Sequence, residues 1–178
     1  NEYSGAPQVT YSITVNTGGG RIYVDGSPIT TTTSYTWQSG STHTLDPDLG
    51  YSPSAGTRFL FSSWNDGSTS DPRTITVTAD ASFTAQWTTQ YYLTVNSQYG
   101  SPSGSNWYNS GSTASFSITS PVDHVNGTRR VFQLWTGDMT STSTTSNIVM
   151  NGPKTVTAQW QKQYRLTVNS PYGSPQGS

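Results

Sequence analysis

The chain has 178 residues and a net charge of −1, and only 10% of its residues are charged, against ~25% in an average globular protein. So little charge leaves no electrostatic footprint for nucleic acid or for an anionic membrane surface. With no cysteine, disulfide scaffolds and thiolate metal sites are excluded.

Read in chain order, the sequence repeats itself. The segment Tyr11-Ser12-Ile13-Thr14-Val15-Asn16 returns as Tyr91-Tyr92-Leu93-Thr94-Val95-Asn96 and again as Tyr164-Arg165-Leu166-Thr167-Val168-Asn169, at steps of 80 and then 73 residues. Trp37 with Gly40-Ser41-Thr42 is answered by Trp107 with Gly111-Ser112-Thr113. Gly56-Thr57-Arg58, with Phe61 and Trp64 behind it, is answered by Gly127-Thr128-Arg129 with Phe132 and Trp135. Thr84-Ala85-Gln86-Trp87 is answered by Thr157-Ala158-Gln159-Trp160. Four blocks in one order define two copies of one unit and the opening strand of a third.

Within each block apolar residues alternate with Thr, Ser, Asn and Gln, the period of a half-buried strand. Tyr91, Leu93 and Val95 share one face, and Tyr92, Thr94 and Asn96 the other. Phe83, Ala85 and Trp87 alternate likewise, as do Val156, Ala158 and Trp160. Asp25-Gly26, Asn126-Gly127 and Asn151-Gly152 mark tight turns, because these residues accept positive φ. The reading is all-β: two tandem small β-domains, of sandwich or B-repeat-like build with about five or six strands each, plus an extra C-terminal strand. The boundaries are an N-terminal extension at 1–10, domain 1 at 11–87 with a hairpin insertion about 21–33, and a junction at 88–90. Domain 2 follows at 91–160, then the incomplete third repeat at 161–178. The three-residue junction lacks glycine, so a stiff pair is expected. A start at Asn1 without Met reads as a mature product or a segment of something longer. No window approaches the ~18 apolar residues of a spanning helix.

The order aromatic-x-Leu-Thr-Val-Asn, Gly-Ser-Thr, Arg-x-x-Phe-x-x-Trp-x-Gly-Asp and Lys-Thr-Val-Thr-Ala resembles the internalin B-type B-repeats. The second copy carries it through Arg129, Phe132, Trp135, Gly137, Asp138 and Lys154-Thr155-Val156-Thr157-Ala158. The first copy departs, with Asn65-Asp66-Gly67 at the turn and Asp80-Ala81-Ser82 before the closing strand. The resemblance implies tandem modules of bacterial or archaeal surface and secreted proteins, extracellular or at the cell surface, acting as stalks and spacers.

Chemistry-bearing residues are few. His43 takes the place of Ala114 on a core-facing register and reads as structural, while His124 reads as a solvated loop residue. Asp46-Pro47-Asp48 and Asp66-Gly67 offer the oxygens Ca²⁺ favours, but turn chemistry explains both. No metal, cofactor or catalytic residue is therefore expected, and the chain is not read as an enzyme. Asn126-Gly127-Thr128 is the one N-glycosylation sequon, so a glycan at Asn126 is expected, and Thr30–Thr33 and Ser141–Ser146 suit O-glycosylation.

Two function classes follow. In the first, Tyr164, Leu166 and Val168 form an assembly strand, because a lone strand cannot bury its own apolar face. It folds back on its own domain, is donated to the sheet edge of a neighbouring chain, or belongs to a chain that continues. The donated strand gives a structural or adhesive filament or stalk that self-associates head to tail. In the second class, Trp37, Trp107 and Tyr108 stack on sugar rings, as in a carbohydrate-binding accessory module of a secreted enzyme.

Overall fold

A computed structural model describes residues 7–124 and 126–173; residues 1–6 of the expected extension and 174–178 of the expected third repeat lie outside the described residues. The chain is all-β, with no helix among the described residues. It divides into two compact units, Asn1–Gln90 and Tyr91–Ser178.

The first unit contains β1 (Thr10–Asn16), β2 (Ile22–Val24), β3 (Ser27–Ile29), β4 (Thr33–Gln38), β5 (Thr42–Pro47), β6 (Thr57–Trp64), β7 (Arg73–Thr76) and the first part of β8 (Ala81–Asn96). One sheet runs β4-β1-β8, with β6 also on β8; the other runs β3-β2-β5-β7. Its core draws Ile13 and Val15, Ile22 and Val24, Leu45, Trp64, Ile75 and Ala85 from both sheets. β2 and β3 form the hairpin read from the extra residues of the first copy, and Asp25 and Gly26 at its turn both hold positive φ.

The second unit contains the rest of β8 with β9 (Asn106–Asn109), β10 (Thr113–Ser117), β11 (Val122–His124), β12 (Thr128–Gly137), β13 (Thr145–Val149) and β14 (Lys154–Tyr164). Its larger sheet runs β8-β14-β12-β11, with β9 also on β8, and β10 pairs with β13. Leu93, Val95, Phe116, Phe132, Trp135, Met150 and Val156 make its core. The strands exceed the expected five or six per unit because the hairpin adds β2 and β3, and the three-residue β11 lines the edge of β12. That strand also takes His124 out of the loop in which it was expected, although the residue stays exposed.

The opening strand of each unit pairs parallel with the closing strand of the same unit. In the first, Ile13 faces Ala81 and Val15 faces Phe83; in the second, Leu93 faces Lys154 and Val95 faces Val156. This seats the alternating apolar face of each opening strand in the core, where Ile13, Val15 and Leu93 are at most 1% exposed. A second repeated device pins the closing strand. Trp87 Nε1 donates to Thr17 O (2.7 Å), and Trp160 Nε1 donates to Ser97 Oγ (2.9 Å), just past the opening strand in each case.

Glycine is required where that turn meets the closing tryptophan. Gly100 has φ +75°, and a Cβ there would lie 2.2 Å from Thr119 O and 2.6 Å from the Trp160 ring. Gly100→Ala is expected to destabilise the second unit by about 3 kcal/mol, combining left-handed strain with overpacking. Gly173 takes the matching place in the tail, with φ +78° and nothing within 4 Å of its would-be Cβ. Gly173→Ala meets the same left-handed strain but no overpacking, and the exposed tail can relieve that strain without disturbing either core. It should therefore lower the melting temperature far less than Gly100→Ala, and equal effects of the two variants would refute this account.

Candidate functional site

The tail is where sequence and surroundings part. Val168 is 41% exposed, Leu166 68% and Tyr164 73%, although their counterparts Leu93 and Val95 are core residues and Tyr91 packs against that core. β14 ends at Tyr164, which faces Thr128; the next residue donates its N–H to Gly127 O (2.8 Å), and 165–173 add no strand. The turn that follows nonetheless keeps the geometry it has in a complete unit. Ser97 Oγ donates to Tyr99 O (2.6 Å) and accepts from Tyr99 N–H (3.3 Å). Ser170 makes the same pair of bonds with Tyr172, which is 89% exposed. The tail thus repeats the turn that follows an opening strand, but the residues before that turn join no sheet that would cover them.

The aromatic candidates separate. Trp37 packs against the first core, and its indole is stacked on Tyr35 (centroids 4.8 Å) and on His43 (3.6 Å, 8° between planes). Both rings stack on the indole, so flat surface that a sugar ring would use is already occupied by side chains of the same unit. Trp107 is not the structural counterpart of Trp37. The turn bonds Ser41 Oγ to Gln38 O and Ser112 Oγ to Asn109 O align Trp37 with Tyr108, which packs against the second core. Trp107 points the other way, edge-on to Tyr92 at 5.2 Å. The error in register came from aligning like residue types one position out of step.

His43 sits in a hydrogen-bonded line that the sequence did not disclose. Its Nδ1 is 2.7 Å from Asp25 Oδ2, and its Nε2 is 3.0 Å from Ser41 Oγ. Asp25 Oδ1 also accepts from Thr44 N–H (2.8 Å). An acid–histidine–serine line invites a nucleophilic reading, but the hydroxyl serves the turn. Ser41 Oγ donates to Gln38 O (2.7 Å), and Ser112 makes the same bond where Ala114 replaces the histidine. Ser41 N–H goes to Gln38 O and Gly40 N–H to Val77 O, so neither is left to hold an oxyanion. The line fastens the inserted hairpin to β5. Its signal was available: both the histidine and the hairpin occur only in the first copy.

Asp25 is exposed, and its slight burial opposes ionisation, yet the bonds from His43 and Thr44 N–H hold its carboxyl below the usual range. A depressed folded pKa contributes stability above the unfolded value of ~3.9, lost as pH falls through the folded value. Asp25→Asn should therefore lower the melting temperature at pH 7, with the difference closing below about pH 4. A difference that persists unchanged at low pH, in melts followed by circular dichroism, would contradict this.

The remaining candidates have turn roles. Asp48 accepts from Arg21 Nε (2.6 Å) and from Gly50 N–H (2.9 Å). Asp66 accepts from Arg73 Nη1 (2.9 Å) and Ser68 N–H (3.0 Å), and the Arg73 bond chiefly holds its carboxyl below the usual range. No group of three potential metal ligands occurs among the described residues. Asn126 is exposed at the β11–β12 turn, its side-chain oxygen accepting from Thr128 Oγ1 (2.7 Å). No helix among the described residues is long and apolar enough to cross a membrane.

In comparisons with known proteins, no family model matches the chain, and neither a curated relative nor a solved structure shows significant similarity.

Proposed function

We propose that the chain is a structural, adhesive module of an extracellular or cell-surface stalk or filament. In this reading it is built of tandem small β-domains of the B-repeat kind, extended at the C-terminal end by strand addition to a neighbouring copy. The observation that carries the reading is the exposure of Tyr164, Leu166 and Val168 in a segment whose two other copies line hydrophobic cores. Covering such a strand releases water from its apolar face and satisfies its free backbone groups, and strand addition does both. The contact is heterologous, so it propagates.

The reading assigns no catalytic residue, and the commitment of the Ser41 hydroxyl to its turn supports that. Sedimentation velocity of the full chain tests it. Association that grows with concentration is expected, and a monomer at every concentration would rule it out.

A further inference from the structure

The two units carry opposite charge. Residues 1–90 hold three arginines against six aspartates and one glutamate, a net of −4, whereas residues 91–178 hold five cations against two aspartates, a net of +3. The whole-chain value of −1 conceals this division.

The positive charge is concentrated beside the exposed strand. Arg130 faces Lys162 and Arg129 faces Gln163 on the rungs next to the Thr128–Tyr164 pair, and Arg165 follows. Lys154 pairs with Asp138, but none of Arg129, Arg130, Lys162 and Arg165 stands in an ion pair among the described residues. Arg129 Nε donates to Gln163 Oε1 (2.7 Å), Arg130 lies over the Tyr99 ring (4.8 Å), and Lys162 lies over the Tyr164 ring (4.7 Å). The nearest acid in the register is Asp123, opposite Arg129. These cations are therefore placed to meet an acidic partner from outside the chain.

In the first unit Arg21 and Arg73 are taken by Asp48 and Asp66. Asp46 and Asp71 have each other instead. Asp71 is exposed and Asp46 half-buried; slight burial, then the Asp46 charge and hydrogen bond, push the Asp71 carboxyl above its usual range, so a cation brought there would be stabilising. Leu49, 58% exposed, follows Asp46 by three residues.

We propose that the basic end of the second unit, with its exposed strand, docks on the acidic first unit of a second copy of this chain. This rests on the head-to-tail reading above and adds polarity to it: opposite charges meet in head-to-tail contact, whereas first-to-first and second-to-second contacts repel. Lys162 and Arg165 flank Tyr164, so charge steers the encounter and the apolar face of the strand holds it.

The test is sedimentation equilibrium of the full chain in 50 and 500 mM salt, with charge-reversed variants whose folding is checked by circular dichroism. The expected result is association at least ~10-fold weaker in high salt, because surface charges are screened within a few ångströms there. Lys162→Glu/Arg165→Glu should weaken association in low salt, as should Asp46→Lys/Asp71→Lys, and mixing the two variants should restore it. If salt and charge reversal change nothing while Leu166→Ser/Val168→Ser abolishes association, the acidic acceptor is wrong and the strand reading stands. If the unmodified chain stays monomeric throughout, both fall. Should Asp46→Lys/Asp71→Lys misfold, the Lys162→Glu/Arg165→Glu variant decides alone, since both side chains lie outside the core.

Discussion

Trp135→Ala is expected to unfold the second unit under conditions in which the parent chain is folded. The ring is 0% exposed, edge-on to Phe116 at 5.0 Å and tilted against Phe132 at 5.3 Å. Its Nε1 donates to Ser143 O (3.0 Å), which holds the segment between β12 and β13. Truncation removes the transfer free energy of the ring and leaves a cavity, together ~3–5 kcal/mol. Loss of this part-buried hydrogen bond adds up to about 1 kcal/mol. A domain this small holds roughly 5–10 kcal/mol in all, so most of its stability goes. Trp107→Ala is the control. That ring lies outside the core against Tyr92, and its loss should cost only about 1 kcal/mol. Urea titrations followed by far-ultraviolet circular dichroism would separate the two. A Trp135→Ala midpoint as little changed as that of Trp107→Ala would overturn the packing assignment.

The second large effect concerns association and not stability. Leu166→Ser/Val168→Ser should leave the melting curve of either unit within about 0.5 kcal/mol of the parent, because exposed side chains contribute little to the folded state. The same change should remove concentration-dependent association, since two apolar anchors of an added strand become polar. Burying a Leu and a Val is worth ~1.5–3 kcal/mol each, so losing both weakens binding at least ~100-fold. The equivalent change in the second unit, Leu93→Ser/Val95→Ser, strikes buried residues and should unfold it instead. One sequence motif with opposite consequences in two places separates a core strand from an interaction strand. Loss of folding in the tail variant would show that the tail packs within its own unit.

Much of the architecture is local and was therefore readable. Period-two alternation puts Leu93 and Val95 inward and Tyr92 outward whatever the partner strands are. Asp25-Gly26 turns because these residues tolerate positive φ, and Ser170 with Tyr172 repeats the turn of Ser97 with Tyr99 even where no sheet surrounds it. Internal repetition needs no structure to be seen.

Other features depend on which strands meet. Phe132 and Trp135 are three residues apart yet both buried, which alternation forbids; a shift in the β12–β14 register between Phe132 and Leu134 inserts the extra residue that turns both inward. Sequence matching set Trp37 against Trp107, whereas the turn bonds and core packing set it against Tyr108. Asp25 and His43 are 18 positions apart, and only the pairing of β2 with β5 brings them together. The sequence by itself determined the repeat, the strands and their faces, because those follow from side-chain periodicity and turn chemistry along one stretch of chain. The tertiary structure alone decided the bulge, the partner of His43 and the exposure of the last strand, because each rests on contacts between distant segments that no local pattern encodes.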